Sequence, residues 1–351
     1  MLIIDGHEDI AFNVMEFGRD PRQSAFKTRE LERGTRVPEI TGNCTVGKPE
    51  WLVGEVGVIF ATLFSAPERH GHPGEKIIYS TAKEAEALAM QQIDIYKRLA
   101  DQDSSFRVVT SKIDFNEVIA SWQGENERQI GLVILMEGAD PIVRPDDVFS
   151  WWEAGVRIIG LSWKGTRYAG GTGEPGPLSD IGRILLENMA NLNMILDLSH
   201  LAEEAYYEAV SSYPGVIIAS HANPRKFCPT DRGLSDEMIR KLADRDGVMG
   251  IVPYNAFLLP GWNREAGRAK VKVSTITAAI DHVNQLTGNG RHVAIGSDFD
   301  GGFGYESIPE EMNTIADMRR VIDELFRIGY STEDVEAIMH GNWSRVLKKG
   351  L

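Results

Sequence analysis

Short apolar runs recur along this chain, and several of them end on a histidine or a carboxylate. Leu2-Ile3-Ile4 leads into Asp5-Gly6-His7-Glu8-Asp9. Residues 132–136 end at Glu137, and Met194-Ile195-Leu196 runs into Asp197-Leu198-Ser199-His200. Residues 216–220 end at His221, and residues 293–297 end at Asp298. Three more runs, at 56–61, 156–161 and 248–252, have the same unalternating, β-branched character. Such runs predict strands buried on both faces.

Between the runs the apolar spacing changes to a helical one. Ser179 and Asp180 open a stretch with Ile181, Ile184, Leu185, Met189 and Leu192 on one face. Further helices are expected over 201–210, from Ser235 onward with Asp236 and Glu237 in the first turn, and over 274–286. Strand–helix alternation implies parallel pairing with right-handed crossovers. Eight such units in 351 residues fit one elaborated (β/α)8 TIM-type barrel spanning residues 1–351 as a single domain. An open doubly wound sheet would not gather eight strand ends around one point, and no G-x-G-x-x-G follows a strand. Residues 18–53 are the least regular part and are expected to form a flap over the rim.

A closed barrel brings all strand C-termini to one rim, so the polar residues there converge. His7 and Asp9 alternate along a strand and can reach one ion together. His200 and His221 each follow a serine at the end of a separate strand. Singly each reads as a core histidine; together with His7-x-Asp9 and a nearby carboxylate they read as ligands for Zn²⁺ or a similar ion. Glu137 closes a fully apolar strand, where a carboxylate needs a positive partner, either an Arg or Lys or a pair of cations. Asp298, in Gly296-Ser297-Asp298-Phe299-Asp300-Gly301, is either a ligand or a proton carrier. His70 and His72 in a loop, His282 and His340 in helical stretches, and His292 before a strand are left outside this set. Two ions about 3.5–4 Å apart can make a bridging hydroxide nucleophilic near neutral pH, which suits amide, peptide, lactone or ester hydrolysis. No serine elbow or P-loop competes.

Composition narrows the class further. The net charge of −14 excludes nucleic acid and anionic membrane as partners. No apolar stretch approaches the ~18 residues of a membrane span, and a strand at residue 2 leaves no room for an export signal. Cys44 and Cys228 make no disulfide framework, so a cytoplasmic location with reduced thiols is expected.

These residues resemble the membrane (renal) dipeptidase family of the amidohydrolase superfamily. The resemblance rests on Asp5-Gly6-His7-Glu8-Asp9, Met136-Glu137-Gly138, Asp197-Leu198-Ser199-His200, Ser220-His221-Ala222-Asn223, Asp231-Arg232-Gly233-Leu234-Ser235-Asp236, the Asp298 motif and Gly341-Asn342-Trp343-Ser344-Arg345-Val346. It implies two zinc ions: His7 and Asp9 on one, His200 and His221 on the other, with Glu137 bridging. It also implies Asp298 as the proton-transfer aspartate, Arg232 as a substrate-binding arginine, and Tyr254 facing the substrate carboxylate. Where mammalian members carry an oxyanion-stabilising histidine, this chain has Leu161-Ser162-Trp163-Lys164, so Trp163 takes that place at the substrate. Val252-Pro253-Tyr254 replaces the family's Asn-Phe-Tyr, and the mammalian lipid-anchor and export signals are absent. The expected activity is a zinc dipeptidase that tolerates a D-residue at the C-terminal side. The alternatives are N-acyl amino acid or lactam hydrolysis, or a metal-stabilised binding protein. The expected partner is a small dipeptide, with a homodimer left open.

Overall fold

The computed structural model describes residues 1–71, 74–124 and 127–351; His72 lies outside these. Eight parallel strands close on themselves: β1 Ile3–Glu8, β2 Val56–Phe64, β3 Ile130–Glu137, β4 Val156–Gly160, β5 Ile195–Asp197, β6 Ile217–Ala219, β7 Val248–Ile251 and β8 Val293–Ile295. Pairing runs in chain order, and β8 returns to β1 through Asp5↔Ile295. This is the (β/α)8 barrel, and all eight apolar runs are its strands. β1, β2 and β3 are buried along their whole length, as strands with helices outside and a packed lumen must be. A further short strand, Phe106–Val108, pairs with the start of β3 and was not anticipated.

Ile4, Val58, Phe60, Val133, Leu135, Ile158, Ile195, Ile218, Val248 and Ala294 fill the lumen together with Trp343 from the C-terminal helix Asn342–Gly350. Trp343 is fully buried, packs on Phe60 and donates its indole N–H to the carbonyl of Ile295 at 2.7 Å. Gly6 has no room for a side chain: a Cβ there would strike Trp343 and the carbonyl of Ser220. The tryptophan therefore fills the lumen directly beneath the histidine-bearing end of β1.

Ser179 and Ser235 cap the helices Asp180–Asn191 and Asp236–Asp244 as expected, each accepting a backbone N–H three residues on. The other two expected helices are Glu203–Ser212 and Val273–Thr287. Residues 18–53 correct the sequence reading. They hold the helices Ala25–Glu32, Val37–Ile40 and Lys48–Gly54, so the stretch is not irregular. Their anchor is Arg19, which forks onto Glu32 (2.7 and 3.1 Å) and lies 3.2 Å from Asp300. Thr45 donates to the same Asp300 through its backbone N–H (2.8 Å) and its hydroxyl (2.6 Å). Gly and Pro density looked like loop; the helices are short and fastened by buried polar groups. No helix among the described residues is long and apolar enough to cross a membrane.

Candidate active site

Four strand ends deliver the cluster. His7 and Asp9 leave β1, Glu137 closes β3, and His200 and His221 follow β5 and β6. Glu137 divides its carboxylate between them. Oε2 lies 3.5 Å from His7 Nε2, while Oε1 lies 3.2 Å from His200 Nε2 and 3.3 Å from His221 Nε2. Asp9 and Asp298 each place an oxygen 3.9 Å from His7 Nε2. Asp298 arrives from the end of β8 in a left-handed conformation (φ 56°), and its N–H donates to the carbonyl of His7 at 3.0 Å. His200 also has a left-handed backbone (φ 65°). Such conformations are uncommon for residues with side chains and collect at functional sites.

Hydrogen bonds fix which nitrogens face inward. Asp197 accepts from the N–H groups of Ser199 (3.0 Å) and Ser220 (2.8 Å) and from both hydroxyls (2.8 and 2.5 Å). Ser220 thus gives its one hydrogen to Asp197 and is left as an acceptor for His221 Nδ1, 2.8 Å away. His221 Nε2 then presents a lone pair to Glu137 Oε1 and to His200 Nε2, which is 3.0 Å off. Thr172 holds His200 Nδ1 at 3.0 Å, and the Thr62 hydroxyl holds Asp9. His7 is fully buried, yet neither ring nitrogen has a hydrogen-bond partner. Lone pairs meeting a carboxylate, beside an unpartnered buried imidazole, are the arrangement that a cation relieves. Two overlapping groups that share His7 are close enough to hold an ion: His7, Glu137 and His221, and His7, Asp9 and Asp298.

With protons as the only cations present, the electrostatics follow. Burial opposes charge on His7, but Glu137, then Asp9 and Asp298, raise its pKa to about 10. Burial would lift Glu137, but the charge on His7 beside it, together with the close approach of His200 and His221, holds it well below the ordinary carboxylate value. Burial and Glu137 push Asp9 up to about 6. Burial and Arg232 pull His200 down to about 4, while burial and His7 pull His221 well down. Burial drives Asp298 well above the normal aspartate range, with His7 opposing.

Arg232 is not the surface residue its neighbour Asp231 suggests. It is buried, and one N–H donates to the carbonyl of His221 at 2.6 Å. Its Nε and Nη1 have no partner. Phe257 lies 5.5 Å from its Cζ, and the same ring meets half-buried Tyr254 edge-on at 4.9 Å. Tyr254 stacks on Phe303 (4.3 Å), on the Asp298 side of the rim. Trp163 stands across the cluster, its ring 6.4 Å from that of His200, in a cleft with Glu137. All nine singled-out residues therefore gather at one rim. His282 pairs with Asp236 and His292 with the carbonyl of Gly247, away from it; His70 pairs with Glu174 near Trp163. Sequence reasoning did not single out Asp197, Ser220, Thr62 or Thr172. The repeated Ser-His pairs and Asp197 were a visible signal for the first two; Thr62 and Thr172 carried none.

Among solved structures, a metallopeptidase described as dipeptidase AC is 20% identical, with a TM-score of 0.81, covering 100% of this chain and 98% of its own. A metallopeptidase from Rhodobacter sphaeroides liganded with a phosphinate mimic of L-Ala-D-Ala is 19% identical, with a TM-score of 0.79, covering 100% and 99%. At these identities the likeness speaks for the fold. An uncharacterised protein in the pqqA 5′ region of Klebsiella pneumoniae is 31% identical over 74% of this chain and 94% of its own length. The dipeptidase aclJ of Aspergillus oryzae is 26% identical over 98% of this chain and 77% of its own. The profile of membrane dipeptidases, peptidase family M19, matches residues 1–350, and the chain belongs to that family.

Proposed function

We propose that this chain is a dipeptidase that uses two divalent ions, zinc first among them, and acts as one domain over residues 1–351. His7 and Asp9 would hold one ion, His200 and His221 the other, and Glu137 would serve both. The observation that carries this reading is the split of Glu137, one oxygen toward His7 and the other toward His200 and His221. Bound there, the ions supply a Lewis acid for the scissile carbonyl and bring the pKa of water toward neutrality.

The chain's own groups do the rest. Asp298 takes the proton from the attacking water and returns it to the leaving nitrogen. Its burial favours the protonated form, which suits that second task. Arg232, with two unpartnered donor nitrogens, takes the substrate's carboxylate, and Tyr254 lines that end of the site. Asp197, through Ser220, and Thr172 hold the imidazoles so that Nε2 faces the cluster. We place the protein in the cytoplasm on its two buried, unpaired cysteines, Cys44 and Cys228.

Metal analysis of chelator-free protein, followed by turnover of L-L and L-D dipeptides and N-acyl amino acids, tests the reading. Two ions per chain and turnover of free dipeptides are expected. One ion, with His200 and His221 dispensable, would sink the two-ion site; turnover of N-acyl amino acids alone would sink the dipeptidase assignment.

A further inference from the structure

The two sides of the rim are built differently. On the β6–β8 side lie Arg232, Asp298 and Tyr254. On the opposite side, the ends of β2, β3 and β4 enclose a cleft lined by Ser65, Pro67, Tyr79, Glu137, Trp163 and Thr166, among others. The space in it open to the centre of a water molecule is about 10 Å³, room for roughly one water.

The indole of Trp163 is one of its walls, with Lys164 beside it in the lining. Phe64 meets the indole edge-on at 5.1 Å, and Lys164 Nζ lies 5.6 Å from the ring centre. The ring of His70 is 6.4 Å away. His70 Nε2 lies 2.7 Å from Glu174, and Arg69 forks onto the same carboxylate at 3.1 and 2.8 Å. Glu174 begins the second strand of the hairpin formed by Ala169–Gly171 and Glu174–Leu178. The tip of that hairpin is itself pinned: Thr172 to His200, and the N–H of Gly173 to Asp231 at 2.6 Å. The opposite wall is fixed as well, because the Tyr79 hydroxyl donates to Asp140 at 2.8 Å and Asp140 accepts from the N–H of Arg167 at 3.1 Å.

A dipeptide whose carboxylate rests on Arg232 and whose amide lies over the cluster must direct its first residue toward this cleft. We infer that the cleft receives the side chain of the N-terminal residue, that Trp163 sets its size, and that the substrates are dipeptides beginning with glycine or alanine. The inference rests on the dipeptidase reading above. A methyl group is about the size of the water the cleft admits. A leucine or phenylalanine side chain requires the indole to leave, and the Arg69–Glu174–His70 latch opposes that.

The test is kcat/KM for Gly-Ala, Ala-Ala, Leu-Ala and Phe-Ala, beside the series Ala-Ala, Ala-Leu and Ala-Phe, on wild type, Trp163→Ala, Trp163→Phe and Glu174→Gln. Wild type is expected to favour Gly-Ala and Ala-Ala by at least about tenfold. Trp163→Ala should raise Leu-Ala relative to Ala-Ala by at least about 10–200-fold, the range set by a single misfitting methylene. Trp163→Phe and Glu174→Gln should move the ratio the same way by less, and the series varied at the second residue should hardly respond. If Trp163→Ala does not fold, Trp163→Phe carries the test, and an unchanged ratio overturns the proposal. A wild type that cleaves all the first series equally, or a Trp163 variant that shifts only the second series, overturns the pocket and leaves the dipeptidase intact. A metal-loaded wild type that cleaves no dipeptide overturns both.

Discussion

Replacing Arg232 by methionine separates binding from chemistry. The guanidinium is a buried cation with one N–H on the carbonyl of His221 and two nitrogens, Nε and Nη1, without partners. A charge-assisted hydrogen bond contributes about 1.5–3 kcal/mol. If a substrate carboxylate takes one of the free donors, its loss costs kcat/KM about 10- to 150-fold. The effect should appear chiefly in KM, because the carboxylate is charged in both ground and transition states. The control is the same dipeptide with a C-terminal amide, which offers no anion, and there the loss should be several-fold at most. Arg232→Met also frees the carbonyl of His221, so metal content and thermal unfolding must be followed in parallel; Arg232→Lys keeps the charge and should recover part of KM. Equal losses on acid and amide, in metal-replete and folded protein, would refute the assignment of Arg232 to the carboxylate.

Glu137→Gln keeps the shape but removes the charge shared by both halves of the cluster, and should lower metal content more than Asp9→Asn or His221→Ala; metal analysis after dialysis decides it. Asp298→Asn should retain metal and fold but lose about 10²–10⁴-fold in kcat, and full activity would remove Asp298 from the mechanism. Because His7 holds its proton up to a pKa of about 10 in the ion-free cluster, metal uptake must displace that proton. Affinity should therefore rise with pH between about 6 and 10, with a further proton released below about 6 as Asp9 also titrates. Calorimetry in buffers of different ionisation enthalpy would contradict this by finding no proton release at pH 7.5. Arg19→Met leaves Glu32 and Asp300 buried without their cation, and should destabilise the fold by about 3–5 kcal/mol in denaturant unfolding; a loss under about 1 kcal/mol would mean that the 18–53 segment is not anchored there.

The strands and the ligand candidates were legible in the sequence for one physical reason. A strand buried on both faces must be apolar throughout, so His7, Glu137, His200, His221 and Asp298 stand out where each run ends. The barrel then converts sequence-distant run ends into neighbours. What was not legible depends on pairings across the chain. Thr62 touches Asp9, and Thr172 touches His200, only because β2 and an inserted hairpin bring them there. A threonine in a strand or a hairpin tip looks the same whether or not it has such a partner. The 18–53 segment misled for a related reason: its short helices are fixed by Arg19 to Asp300, a contact across most of the chain, rather than by a local apolar pattern.

The support of the site is also unequal, and that bears on its chemistry. His221 is oriented by a serine–aspartate network at the ends of β5 and β6, while His200 is held by Thr172 at the tip of the inserted hairpin. The other half is tied to residues 18–53 through Arg19. Asn13 donates to the carbonyls of Asp9 (2.9 Å) and Asp300 (3.0 Å), and Arg19 donates to the Asn13 side chain at 3.1 Å. Asp9 and the segment carrying Asp298 are thereby bridged by Asn13 of the helix Ile10–Phe17, which Arg19 buttresses from the 18–53 segment. The group proposed to move a proton sits on that second half, while Arg232, proposed to bind the carboxylate, hangs from His221 on the first. Changes in the 18–53 segment should therefore reach the placement of Asp298, and with it kcat, while changes in the β5–β6 network should reach His221 and Arg232 together.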